Sequence, residues 1–548
     1  MRLPPICSLG LGVPAVLATQ KVLGVGGKGN PLDDDFNKFA IDALGEFHVT
    51  GIAIAVVDGM ESWAAGYGNA TLPSSQNGDP IPVTPSTLFY CGSTTKAFTA
   101  ATLSLMIDSG IYPSLSWQTP ISTLIRDDFV LMDPYTWEQN HLTLEDALSH
   151  RTGFPRHDKS LGTFYGPDHH KATVRDLTRS LRWLPMVSEP RTKWRYCNLM
   201  FMVVSHAMQT LTGQWLGTTF RERIWAPLGM NSTYLSLEDA LAGPEHLAGG
   251  YYWDYDAEVF ETVSFSGLDE ASGAGGVVSN VLDYTKWIRC LLNEATPLSK
   301  AGHEAIKTPR MAMSGNGKGY DSPMLYALAW QTSTYKGHRV YTHSGGMEAY
   351  GAEVYFLPDL GYGVVTLGNT ALTSNYVGNI LVWKLINDKL GIPESDRFDW
   401  AATAKQQLED IVSSIDNAVE RLYPDRADPP LPHLLALEAY TGTYFHPAYQ
   451  NLTINLANGS ETDIHRHNTK PRLRAVREDV VWQNTFDFEH VSGEFWVVFI
   501  NMLKVPNGLN EEAAKAEFRV GATGRPEQLM IEFMEEGSEG VIEFEKIN

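Results

Sequence analysis

Basic residues and cysteines are scarce in this chain, and each shortage removes a class of function. Lysine and arginine number 42 against 64 aspartates and glutamates, a formal net charge of −22 over 548 residues. Such an acidic surface repels phosphate backbones and anionic lipid, which argues against nucleic acid and the membrane surface as partners. The four cysteines (Cys7, Cys91, Cys197, Cys290) form no C-x-x-C pair. They suggest neither a disulfide scaffold nor a zinc site. No apolar run is long enough to cross a bilayer. G-x-S-x-G and G-x-x-x-x-G-K-[ST] are both missing, which removes the nucleophile elbow and the phosphate loop. Gly24-Val-Gly26-Gly-Lys-Gly29 matches a dinucleotide fingerprint by letter. Asn30-Pro31 follows where a helix should begin, so it reads as a flexible loop. His169-His170 and His465-Arg-His467 read as solvated pairs, and Asp33-Asp-Asp35 as a surface turn. No metal or cofactor is expected.

What is present is an ordinary globular composition, 43% hydrophobic and 19% charged, in a chain long enough for two domains. The N-terminal apolar stretch Leu9–Ala18 is broken by Gly10, Gly12 and Pro14. It makes a weak secretory signal, so secretion stays open and the cytoplasm is slightly favoured. Sequons beginning at Asn69, Asn231, Asn451 and Asn458 are what chance supplies at this length.

Gly51–Val57, an Asp58-Gly59 turn and Ser62–Tyr67 read as a hairpin. Helices are expected over Ser93–Asp108, ended by Gly110, and over Leu142–His150, with Thr143 and Asp146 in a capping-box arrangement. Two more are expected over Asn280–Asn293 and Asn379–Leu390, the latter closed by Gly391. Strands are expected at Tyr326–Trp330, Arg339–Thr342, Ala352–Phe356 and Gly361–Leu367. Strands at both ends with helices between them predict an α+β fold with one sheet built from distant pieces. A helical, charged stretch then leads to Asp428-Pro-Pro-Leu-Pro432, the best linker in the chain. Short β runs follow at Leu452–Asn455, Val480–Trp482, Phe495–Phe499, Gln528–Phe533 and Gly540–Phe544, predicting a small antiparallel β domain. The division is an N-terminal extension 1–40, a catalytic domain 41–395, a helical linker 396–433 and a β-barrel domain 434–548.

The chemistry centres on Ser93-Thr-Thr-Lys96. Residues three apart share a helix face, so Lys96 Nζ can reach Ser93 Oγ, and a desolvated lysine can take the serine's proton. The helix N-terminus adds amide donors for a developing oxyanion. Ser333-Thr-Tyr-Lys336 carries the same letters in a strand running into a turn, where i and i+3 face opposite ways, and is rejected. Tyr196-Cys-Asn198 and His343-Ser-Gly345-Gly346 complete the set. Tyr67-Gly-Asn69, Tyr449-Gln-Asn451 and Lys389-Leu-Gly391 are letter matches in the wrong order or context.

In this order and spacing the motifs resemble those of the serine β-lactamase and penicillin-binding protein superfamily, nearest its class C β-lactamase, D-alanyl-D-alanine carboxypeptidase, esterase and transesterase branch. Leu148-Ser-His150-Arg-Thr-Gly153, Ala274-Gly-Gly-Val-Val-Ser279 and Tyr326-Ala-Leu-Ala-Trp330 are similar to secondary segments of that superfamily. The tail from Leu437-Glu-Ala-Tyr-Thr-Gly-Thr-Tyr444 resembles its lipocalin-like barrel. The resemblance implies a β-lactamase/transpeptidase-like fold in which Ser93 attacks an acyl carbonyl and Lys96 and Tyr196 move the proton. It implies that Asn198 holds the substrate's acyl side and that the amides of Ser93 and Gly346 form the oxyanion hole. His343, Ser344 and Gly345 would line the substrate strand, His343 giving positive charge or a hydrogen bond. A histidine in place of a lysine at position 343 weakens carboxylate binding. The expectation is a serine hydrolase or acyltransferase acting on a small-molecule ester, amide or thioester. A D-amino-acid peptidase, a β-lactamase or a silent binding protein are the alternatives, and oligomeric state stays open. Because every motif precedes the proline linker, removal of residues from Leu434 onward is expected to cost solubility more than chemistry.

Overall fold

The computed structural model describes residues 18–20, 29–73, 78–166, 168–268, 272–314, 317–457, 472–506, 509–535 and 537–548. The glycine loop at 24–28, Cys7 and His465–His467 lie outside them. Among the described residues ten strands form one antiparallel sheet. Its order is Ala18–Gln20, Glu61–Thr71, Gly51–Asp58, Tyr362–Gly368, Tyr350–Leu357, His338–Met347, Gln331–Tyr335, Leu325–Tyr326 and Met311–Ala312, with Ile81–Pro82 on the flank of Glu61–Thr71. Two chain-distant halves therefore meet where Gly51–Asp58 pairs with Tyr362–Gly368. Both faces of these central strands are covered, so the strands read as continuous apolar runs without alternation.

Helix Asp34–Glu46 packs Phe36, Ala40 and Leu44 on one face of the sheet beside helix Thr373–Leu390. Asp33 is its N-cap, accepting from Phe36 N, and Asp34 and Asp35 fill its first turn. The three acidic residues read as a surface turn are thus a helix start, placed to suit the positive end of the helix dipole. Residues 34–40, given to an N-terminal extension, belong to this packing. The capping box at Thr143 and Asp146 forms as expected, reciprocally, a motif worth about 1 kcal/mol. The run Tyr326–Trp330 is not a strand. Its strand ends at Tyr326, Ala329 takes a left-handed φ of 63°, and Ala327 N donates to Trp330 O in a tight turn. All five residues are buried, so the apolar run reports a buried turn and not sheet periodicity.

Helix Trp400–Asp416 stacks Trp400 on Trp383 of the preceding helix, with ring centroids 5.0 Å apart. Helix Ala418–Leu422 then lays Ala418 and Leu422 against Val497, Phe499 and Ala513. Leu431 in the proline cluster is bonded through its backbone to Ser492 and Gly493. The stretch read as a linker is therefore a packed adaptor.

Beyond it, eight strands close into an antiparallel barrel: Gly442–His446, Gln450–Ala457, Arg472–Arg477, Asn484–Ser492, Phe495–Met502, Glu512–Val520, Pro526–Glu532 and Val541–Lys546. Val480–Trp482, expected as a strand, is instead a loop bridged to Gly162 of the first domain. At the barrel Phe518 packs against the rings of Tyr440, Tyr444 and Trp496. The barrel's apolar core continues into the first domain, where Tyr449, Phe533 and Val481 join the cluster holding Leu161 and Leu184.

Candidate active site

A short 3-10 turn, Gly92–Thr94, carries Ser93 into the long helix Thr95–Asp108. Gly92 sits at φ 50°, and a Cβ there would stand 2.7 Å from Gly346 O. Glycine is required on both counts. This close approach brings the nucleophile turn against the end of strand His338–Met347.

Lys96 is fully buried. Its Nζ lies 3.0 Å from Ser93 Oγ, 2.7 Å from Asn198 Oδ1 and 2.7 Å from the Ala274 carbonyl. Burial, with the nearby Arg156 guanidinium, holds the amine well below its usual value, against an opposing pull from Asp158 and Cys197. In its neutral form the amine has two N–H groups and one lone pair. Asn198 and Ala274 accept the two hydrogens, which leaves the lone pair for Ser93 O–H. Tyr196 O–H donates to Ser93 Oγ at 2.7 Å. The Tyr196 ring is flanked by Lys96 Nζ at 4.8 Å, Arg156 Cζ at 4.9 Å and the His150 ring at 4.2 Å. His150 Nδ1 accepts from Cys197 N at 3.1 Å and fixes the backbone beside Tyr196. Cys91 and Cys197 are buried behind the site, their thiols pushed up to about 12 by burial.

The structure adds partners for three expected residues that the motifs alone do not show. Asn198 is buried, its Oδ1 taken by Lys96 and its Nδ2 by Asp158 at 2.9 and 3.1 Å. Its amide oxygen thereby holds the lysine in place. His343 is also buried. Its Nδ1 faces the Ser344 carbonyl at 2.7 Å and must donate, so Nε2, 3.0 Å from Tyr326 Oη, accepts. Burial and the neighbouring Lys96 push this imidazole down to about 3, so it carries no charge near neutrality. The Ser344 side chain is exposed, and its carbonyl accepts from His343.

Gly345 accepts from Asn375 Nδ2 at 3.0 Å, and a Cβ on it would meet Cys91 O at 2.0 Å. Gly345→Ala is therefore expected to push the strand off the nucleophile turn. The expected loss is about a hundredfold in kcat, with about 1–3 kcal/mol of stability. Steady-state kinetics beside thermal denaturation check this, and an unchanged kcat would contradict the close packing.

Sequence reasoning missed Arg156 and Asp158. Arg156-His-Asp-Lys159 looks like a solvated charge run, and only the folded chain shows it buried beneath the barrel.

The profile of the beta-lactamase family matches residues 36–385, and a domain of unknown function matches 426–546. The chain belongs to the beta-lactamase family, and it is a hydrolase. Among curated proteins it is 43% identical to the unguisins hydrolase of Aspergillus campestris, over 92% of this chain and 90% of that protein. It is 41% identical to the unguisins hydrolase of Aspergillus violaceofuscus, over 91% and 88%. The octameric penicillin-binding protein homologue from Pyrococcus abyssi shares the fold with a TM-score of 0.57 at 17% identity, over 93% of this chain and 99% of that one.

Proposed function

We propose that this chain is a hydrolase that opens an ester or amide bond through an acyl-enzyme on Ser93, with unguisins as its substrate class. The observation that carries the reading is the convergence of Lys96 Nζ and Tyr196 Oη on Ser93 Oγ. Ser93 Oγ attacks the carbonyl carbon while its proton passes to Lys96 Nζ. The amides of Ser93 and Gly346 face the oxyanion. The carbon–heteroatom bond breaks, Tyr196 O–H passes a proton to the leaving group, and the proton taken up by Lys96 restores the Tyr196 hydroxyl. Water then attacks the acyl carbon, the serine regains its proton, and a carboxylic acid departs. The extent of the likeness to two unguisins hydrolases, spanning the barrel as well as the catalytic domain, supports both the substrate class and water as acceptor.

Incubation with unguisins tests this reading. The expected product is heavier than its substrate by one water, or splits into two pieces that together carry that mass. Unaltered unguisins beside hydrolysis of simple acyl esters would refute the substrate class and leave the acyl-enzyme standing.

The neutral, buried His343 speaks against a peptidase or β-lactamase reading that depends on a substrate carboxylate. Adding a free carboxylate to the leaving-group side of a test substrate is expected to change KM by less than about threefold. Matched substrate pairs measure it, and a much lower KM for the acid would oppose the reading.

A further inference from the structure

Residues 156–159 run between the catalytic lysine's neighbour and the C-terminal barrel. Asp158 is buried, and both of its carboxylate oxygens accept from Asn198 Nδ2. Arg156 Nε donates to the same carboxylate at 3.0 Å and pairs with Glu535 of the barrel, 2.8 Å away. Lys159, also buried, pairs with Glu512 at 2.7 Å and Glu535 at 3.2 Å. His157 is held between Tyr449 Oη of the barrel and the Pro185 carbonyl. The barrel thus grips this segment at Arg156, His157 and Lys159, and Asp158, between them, points the other way, into the site.

We propose that Asp158 is a positioning residue of the acyl-transfer site, and that the barrel acts on the site through it by clamping residues 156–159 with Glu535 and Glu512. The inference rests on the reading of Ser93 as nucleophile.

The physical need lies in the Asn198 amide. Its two ends are nearly equal in shape, and only the oxygen can accept from Lys96. A carboxylate that accepts both ways holds the amide's nitrogen end toward itself and so turns the oxygen to the lysine. Burial pushes the Asp158 carboxyl up, but Asn198 Nδ2 and Arg156 Nε are donors only, so it accepts from them as a carboxylate. Breaking such a buried pair from one side leaves an uncompensated charge, which is why the barrel side matters.

Lys96 feels the pair with opposite signs: Arg156 depresses its proton affinity and Asp158 raises it. The other groups facing Lys96 are Ser93, Tyr196, Cys197, His150 and His343. Those facing Asp158 from the barrel and its own loop are Glu535, Lys159, Tyr449 and Glu539. Acylation requires a neutral Lys96, so its titration sets the acid limb of the kcat/KM profile.

The experiment records pH profiles of kcat/KM for full-length wild type, Asp158→Asn, Arg156→Met and Glu535→Gln on a chromogenic acyl ester. Thermal denaturation and intact-mass detection of the acyl-enzyme run alongside. Asp158→Asn is expected to move the acid limb to lower pH and to lower plateau kcat about tenfold. Arg156→Met is expected to move the limb the opposite way. Glu535→Gln, which touches no catalytic group, is expected to move it in the direction of Asp158→Asn, because it leaves Arg156 less compensated. A variant that only loosened the fold would lower activity without these opposed displacements. Folded variants whose limbs coincide with a wild type that forms the Ser93 adduct overturn the inference and leave the nucleophile reading intact. A folded wild type that forms no adduct overturns both.

Discussion

Ser93→Ala is expected to lower kcat by about a thousandfold or more while leaving the fold unchanged. Loss of a nucleophile removes the covalent route, and what remains comes from binding and oxyanion contacts alone. The side chain is partly exposed on a short turn, and its hydroxyl accepts from Tyr196. Losing it opens no core cavity. The melting temperature should therefore stay within a few degrees of wild type, and the acyl adduct should vanish. Steady-state kinetics and thermal denaturation on one preparation check both parts. Turnover persisting near the wild-type rate would place the nucleophile elsewhere.

Lys96→Met separates stability from catalysis more sharply. A fall of about a thousandfold in kcat is expected, within the range that a positioned general base supplies. Stability is expected to hold or rise. The sign follows from linkage. Below the ordinary lysine value the unfolded chain binds a proton that the folded chain, with its depressed Lys96, does not bind. Folding with this residue in place therefore costs free energy across that window, increasingly so as pH falls toward the folded value. Methionine fills similar volume and carries no such cost, a common relation between active-site residues and stability. Denaturant unfolding at neutral pH, read beside kcat, tests the pair of statements. A large destabilisation with modest loss of rate would show Lys96 to be structural.

The sheet, the C-terminal barrel and the meeting of Lys96 and Tyr196 at Ser93 were legible because each rests on short-range pattern. The apolar run at Gly51–Val57 marks a doubly covered strand, and Thr143 with Asp146 marks a helix start. Ser93 and Lys96 are fixed by helical spacing. The duties of Asn198 and His343 were not legible, since each depends on a partner far along the chain: Asp158 for one, Tyr326 for the other. The three aspartates at Asp33–Asp35 went the other way: polar residues read as a turn are a helix start, because that helix's apolar stripe lies further on, at Phe36, Ala40 and Leu44. Val480–Trp482 has strand composition, yet its burial comes from docking onto Gly162, a contact between domains that periodicity cannot register.

The barrel's place in the account changes for the same reason. Its separation by a proline cluster suggested a module whose loss would cost solubility more than chemistry. Glu512, Glu535 and Tyr449 instead reach residues 156–159, next to the asparagine that orients Lys96. Glu539 adds to this contact: fully buried, it lies 3.8 Å from His157 and is pushed up to about 8 by desolvation. Burial thus favours its neutral form at the interface. Loss of the barrel would uncover these groups, so chemistry as well as solubility is expected to suffer.

The most direct measurement of the central claim is intact-mass spectrometry with peptide mapping, after wild type and Ser93→Ala are exposed to a serine-reactive phosphonate and to p-nitrophenyl acyl esters. The account predicts one adduct per wild-type chain, mapped to the peptide holding Ser93, and none on the variant. An adduct on the variant, or none on folded wild type, would contradict it.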